Sequence, residues 1–248
     1  MSASSLSSPR VSPPPRPLRE ALLSAAVVSA TVTLASTFAP ARWVASAVGA
    51  TFLGATWVLV FRKDDEAVER AGLAFAGLVL PEPLDRRRIL RDLAQALGWA
   101  LVFSLCCFGP FFLGFRVYAR VVWHAHAHPW TWPHGAATLN EVLGQVALIA
   151  LPEEVFYRGY LQSRLDDAWP ARVSVLGASV GPSVLATSVI FAVGHLLTIH
   201  DAGRLAVFFP SLLFGWLRAR TGGVGASIAF HASCNLFSAT LLSAYGPH

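Results

Sequence analysis

Glu153 and Glu154 stand side by side at the end of the apolar run 142–151, and Arg158 follows the second by four residues. A carboxylate at mid-bilayer costs about 2.5–3.5 kcal/mol on insertion scales, so a chain that keeps two must pair them or use them. Two later apolar segments each bring one histidine, His195 and His231, and Asn235 follows the second by four residues. Carboxylates and imidazoles activate water, and paired donors steady an oxyanion. Glu154 and Arg158 share a helical face and can form an ion pair. Glu153 points about 100° away and needs another partner. Either histidine alone would serve as interhelical hydrogen-bond glue. Two of them with a spare carboxylate favour chemistry. His231 and Asn235 share a face, so both can donate to one point.

The elements that must position these groups are membrane-grade helices. Hydrophobic residues make up 54% of the 248 and charged residues 13%, against about 25% charged in soluble domains. Mean hydropathy is +0.54. The fold class is therefore all-α, a polytopic membrane protein of about seven transmembrane helices (six to eight) with a short interfacial helix. Expected spans are 19–38, 43–61, 93–115, 139–162, 183–199, 204–219 and 223–244. The run 71–80 is too short to cross, since a span needs about 20 residues, and reads as interfacial or re-entrant. Residues 1–18 form a Ser/Pro-rich disordered cytoplasmic tail. Residues 19–138 hold the N-terminal helices and loops, and 139–244 the core that carries the polar groups. The loop 116–137, with Trp123, Trp130, Trp132 and four histidines, reads as an interfacial aromatic belt. Residues 163–182 read as a connection.

With the N-terminus cytoplasmic, fourteen basic residues fall in inside segments and four (Arg42, Arg116, Arg120, Arg204) in outside ones, Arg158 aside. That asymmetry obeys the positive-inside rule. It accounts for the net charge of +5 without nucleic acid, which is not expected as a partner. At about 1.5 Å per residue, Glu153, His195 and His231 lie roughly 18, 20 and 12 Å from the cytoplasmic ends of their spans, in one slab of the membrane. Cys106, Cys107 and Cys234 have neither disulfide nor metal spacing.

The series Glu153-Glu154-x-x-x-Arg158, Phe191-x-x-x-His195 and His231-x-x-x-Asn235, on separate apolar segments, resembles the three motifs of the CPBP family. Its members are intramembrane glutamic endopeptidases related to the CAAX prenyl proteases, and some bacterial ones resemble enzymes that remove C-terminal sorting tails. The resemblance covers about 139–240. It implies a helical protease in which Glu153 is the general base and His195 helps to hold and polarise the water. His231 and Asn235 would stabilise the oxyanion, with Glu154 and Arg158 in support.

No cofactor is expected. The zincin pattern His-Glu-x-x-His is absent, although Glu153 with two histidines leaves a zinc-dependent version of the same protease as an alternative. His124, His126 and His128 form a second cluster, read as part of the interfacial loop. Expected partners are membrane lipid and a protein or peptide substrate, such as a C-terminal transmembrane or lipidated tail. The arginine-rich composition, with Lys63 the single lysine, suggests a bacterial cell membrane. The rival class is a non-catalytic immunity or scaffold protein that keeps this core. A channel would need polar lining that the first three spans lack.

Overall fold

The structure, a computed structural model, describes residues 16–79, 84–127, 136–171 and 173–245. Apolar runs uninterrupted by turn chemistry bury their backbone polarity internally, and in lipid only helices and closed barrels do that. The helices are α1 (Arg16–Phe38), α2 (Ala41–Phe61), the short α3 (Asp65–Arg70), α4 (Arg86–Val122), α5 (136–168), α6 (Pro182–Thr198), α7 (Phe208–Thr221) and α8 (Gly225–Tyr245). Three of these, α1, α2 and α4, are long and apolar enough to cross a membrane. The 17 residues of α6 sit at the lower limit for crossing, and the 14 of α7 fall short of a core about 30 Å thick. An all-α polytopic membrane protein results, with a core shared by α1, α2, α5, α6 and α8.

Several expected boundaries move. Residues 16–18 open α1 rather than closing a disordered tail; the remainder of that tail, 1–15, lies outside the described residues. The third span extends at both ends, because Asp85 caps it through the backbone amides of Arg87 and Arg88. The loop expected at 116–137 therefore starts only after Val122, and Trp123 packs edge-on against Phe115 and Tyr118. His128, Trp130 and Trp132 lie outside the described residues. The start of the expected sixth span is a 3-10 turn, Ala202–Val207, whose cap is Asp201.

The short helix falls at 65–70, one segment earlier than expected, since Asp64 caps it by accepting from the Ala67 amide. Residues 71–79 are partly packed into the bundle and partly exposed, Leu78 and Val79 facing outward. Leu73 is wholly buried, and its methyls fill the space over Gly159. The connection 163–182 is partly α5 and partly a small antiparallel hairpin, β1 (Val173–Val175) and β2 (Ala178–Val180). Its two-residue turn, Leu176-Gly177, has positive φ at both positions, the geometry that twists correctly into a hairpin.

α5 is not a plain α-helix. Wider, π-type turns run over Gln145–Ala150 and Val155–Leu161, on either side of the Leu151–Glu154 turn. Pro152 has no N–H to give the Leu148 carbonyl four residues before it. α2 lays Gly49 against that carbonyl, where a Cβ would come within 2.8 Å of the oxygen. Such widened turns recur at functional sites, and this pair brackets Glu153 and Glu154.

Candidate active site

Glu154 is wholly buried, and its Oε1 accepts from both Arg158 Nη1 and His231 Nδ1 at 2.8 Å. Arg158, also wholly buried, donates from Nη2 to the Ser211 hydroxyl at 2.6 Å and to the Ser211 carbonyl at 3.2 Å. Its guanidinium lies over the rings of Phe191 and Phe214, 4.7 and 5.0 Å from their centroids. A buried ion pair survives only when its remaining hydrogen-bonding capacity is met. Ser211 on α7 and the two ring faces meet part of it here, while Glu154 Oε2 and Arg158 Nε are buried without a hydrogen bond from the described residues.

Glu153 faces the other way, as its place one residue earlier requires. Its Oε2 lies 3.8 Å from His231 Nε2 and 4.0 Å from His195 Nε2. That oxygen is buried and receives no hydrogen bond from the described residues. His195 turns its Nδ1 to the Phe191 carbonyl at 3.0 Å, one turn back on α6. His231 lies flat on Phe214, with centroids 4.7 Å apart and planes 16° apart. Both imidazoles are therefore held at Nδ1 and present Nε2 to the same carboxylate oxygen.

The structure thus brings Glu153, Glu154, Arg158, His195 and His231 into one cluster from α5, α6 and α8. Asn235 lies one turn beyond His231 on α8, half-buried, and its carboxamide makes no hydrogen bond with the described residues. Among the described residues no group of three His, Cys, Asp or Glu is disposed to hold a metal ion.

Beside the cluster is a cavity of about 140 Å³. It is lined by Glu153, Tyr157 and His195 together with Ser29, Val48 and Phe52. Gly194 opens the space, since a Cβ there would lie 3.0 Å from the Tyr157 hydroxyl.

Residues 135–237 match the family model of Type II CAAX prenyl endopeptidase Rce1-like proteins. They form an Rce1-like domain. No curated protein and no solved structure matches the chain. The Rce1-like domain contains α5 to α7 and the part of α8 that carries His231 and Asn235. The family it resembles is one of proteases, membrane endopeptidases of the CAAX type. Residues outside the matched segment complete its surroundings, because Ser29, Val48 and Phe52 on α1 and α2 line the same cavity as Glu153.

Sequence reasoning missed Ser211, Phe214, Tyr157, Ser29 and Gly194. Tyr157 had a signal, since it follows Glu153 by four residues and shares its helical face. Ser211 and Phe214 had none, because a single serine or phenylalanine in an apolar helix is ordinary.

Proposed function

We propose that the Rce1-like domain hydrolyses a peptide bond in or near the membrane with a water activated by Glu153. The supporting observation is Glu153 Oε2, faced by two imidazole Nε2 atoms at 3.8 and 4.0 Å and otherwise without a partner among the described residues. Polar atoms separated by more than about 3.5 Å are spaced for a bridging water rather than a direct bond. A neutral His195 that donates from Nδ1 to Phe191 keeps a lone pair on Nε2. The water then gives one O–H to Glu153 and the other to His195, and turns its own lone pair to the substrate carbonyl. As the oxygen–carbon bond forms, Glu153 takes the proton and later returns it to the leaving amine.

The negative charge that develops on the carbonyl oxygen needs donors. His231 gives its Nδ1–H to Glu154. When Nε2 is protonated as well, Glu153, Glu154, Arg158 and His231 sum to zero charge, the condition under which buried ions are tolerated. Nε2–H of His231 and the free carboxamide of Asn235 are then the two oxyanion donors. Glu154 and Arg158 act by holding His231.

The reaction needs no metal in this reading, and a chelator is expected to leave cleavage unchanged. Loss of cleavage on chelation, restored by zinc, would support the zinc-dependent version instead. The setting proposed is a bacterial inner membrane with the N-terminus cytoplasmic. The substrate is a protein or peptide presented from lipid, a C-terminal transmembrane or lipidated tail, with no nucleic acid involved.

The experiment compares C-terminal peptides from membranes of cells that carry the wild type or Glu153→Gln. Specific peptides are expected to vanish in the variant while the protein still inserts. A Glu153→Gln protein that cleaves normally overturns the reading. One that keeps full biological activity with no peptide difference identifies an immunity or scaffold role.

A further inference from the structure

Depth within the bundle is set by one contact near its cytoplasmic end, where the Ser183 hydroxyl at the start of α6 donates to Asp166 near the end of α5. From that level Glu153 is 13 residues along α5 and His195 is 12 along α6, so both lie about 18–20 Å away. α6 ends at Thr198, only three residues and about 5 Å beyond His195. Glu153 and His195 are therefore far from the arginine-rich ends of α5 and α6, whereas His231 is only six residues, about 9 Å, into α8 from that same side.

The two cavities follow the same division. The one beside Glu153 is rimmed by Thr198 and Ile199, and by Val32 and Val48 near the ends of α1 and α2 that share this side. Ile199 is exposed. The charged turn that holds Asp201 and Arg204 lies at the same end, also exposed. A separate cavity of about 220 Å³ lies at the other end, with Lys63, Arg70, Arg164 and Arg218 in its walls. Beside this second cavity the wholly buried Leu73 is seated on Gly159, and Leu161 and Leu165 are equally buried.

We propose that the polypeptide to be cleaved reaches Glu153 from the extracytoplasmic face, through the cavity between α1, α2 and α6. The substrates are then membrane-anchored proteins whose cleaved segment lies at that face, unwound where it passes the hydroxyls of Ser29, Tyr157 and Thr198. Extended peptide leaves amides that must be satisfied away from water, and these three hydroxyls line the path. The inference rests on the protease reading for the word substrate. Its sidedness stands on the geometry and the basic-residue asymmetry.

The test uses the full chain with Cys106, Cys107 and Cys234 replaced by alanine, and a single cysteine introduced by Ile199→Cys or by Lys63→Cys. Intact cells are treated with a membrane-impermeant maleimide. Labelling of the Ile199→Cys protein before permeabilisation, and of the Lys63→Cys protein only after it, is expected; the reverse pattern overturns the proposal. In parallel, Val48→Trp fills the cavity, and the peptides that depend on Glu153 are expected to be lost. Where that variant accumulates poorly, Ile199→Trp at the rim is measured instead. A folded plug variant that still processes normally overturns the route. Identical peptides from wild type and Glu153→Gln would remove the protease reading and leave the labelling result to decide the side.

Discussion

At the residue scale the cluster depends on Arg158 holding Glu154 and Ser211 at once. Lysine keeps the charge but lacks the planar fork that reaches a carboxylate on one side and a hydroxyl on the other. Arg158→Lys is expected to lower the unfolding midpoint in detergent, with Arg158→Met lower still, because an uncompensated buried Glu154 costs about 3–5 kcal/mol. A variant with unchanged thermal unfolding would show that Glu154 is neutral and needs no counter-charge. The pairing itself was legible, since residues four apart on a helix face one another, and so was the divergence of Glu153 from Glu154. What could not be read was the second arm. Ser211 meets Arg158 across 53 positions of sequence, and only the packing of α7 against α5 defines which of its small residues faces inward. The stacking of Phe214 under His231 was hidden for the same reason.

At the scale of elements, hydropathy located the long helices because lipid admits few alternatives. Boundaries shifted where polar caps intervened, at Asp64, Asp85 and Asp201. The hairpin at 173–180 was overlooked even though alternation around Leu176-Gly177 announced it, because Pro170 and Pro182 suggest a plain connection. The distortion of α5 was half legible. Pro152 promised an orphaned carbonyl, but nothing in one dimension said that Gly49 of α2 would cover it. Gly49→Val drives side-chain atoms into the Leu148 carbonyl and against the Pro152 ring, whose Cγ lies 3.4 Å from where the new Cβ would sit. Overpacking of this kind costs about 1–3 kcal/mol, and here the displaced segment carries Glu153. The expected outcome is a modest drop in the unfolding midpoint with a much larger drop in cleavage. Equal, small losses in both would mean that α2 does not set the position of the carboxylate.

At the scale of the whole molecule, the N-terminal helices and the Rce1-like domain form one site although only the latter matches the family. α1 reaches the domain through Ser24, which bonds Tyr160 at 3.0 Å, and through Glu20, which pairs with Arg164. α4 packs along α8 by aromatic contacts, Phe108 lying flat on Phe237 at 4.2 Å. The leucines Leu93, Leu97, Leu101 and Leu105 on α4 stay exposed, as a lipid-facing helix requires. Among the described residues there are seven helices of crossing or near-crossing length, with α3 too short to count, and seven crossings would put Arg16 and Tyr245 on opposite sides. The weak member is α7, whose 14 residues need local thinning of the bilayer or a polar end drawn inward. Topology reporters decide the parity. With the N-terminus cytoplasmic, alkaline phosphatase fused after His248 is expected to be active and a fluorescent protein at the same point dark. Fusion after Thr221 should give the opposite pattern, since Arg218 and Arg220 hold that end of α7 on the cytoplasmic side. Fluorescence from the C-terminal fusion would mean an even number of crossings, with α6 and α7 entering and leaving from one face.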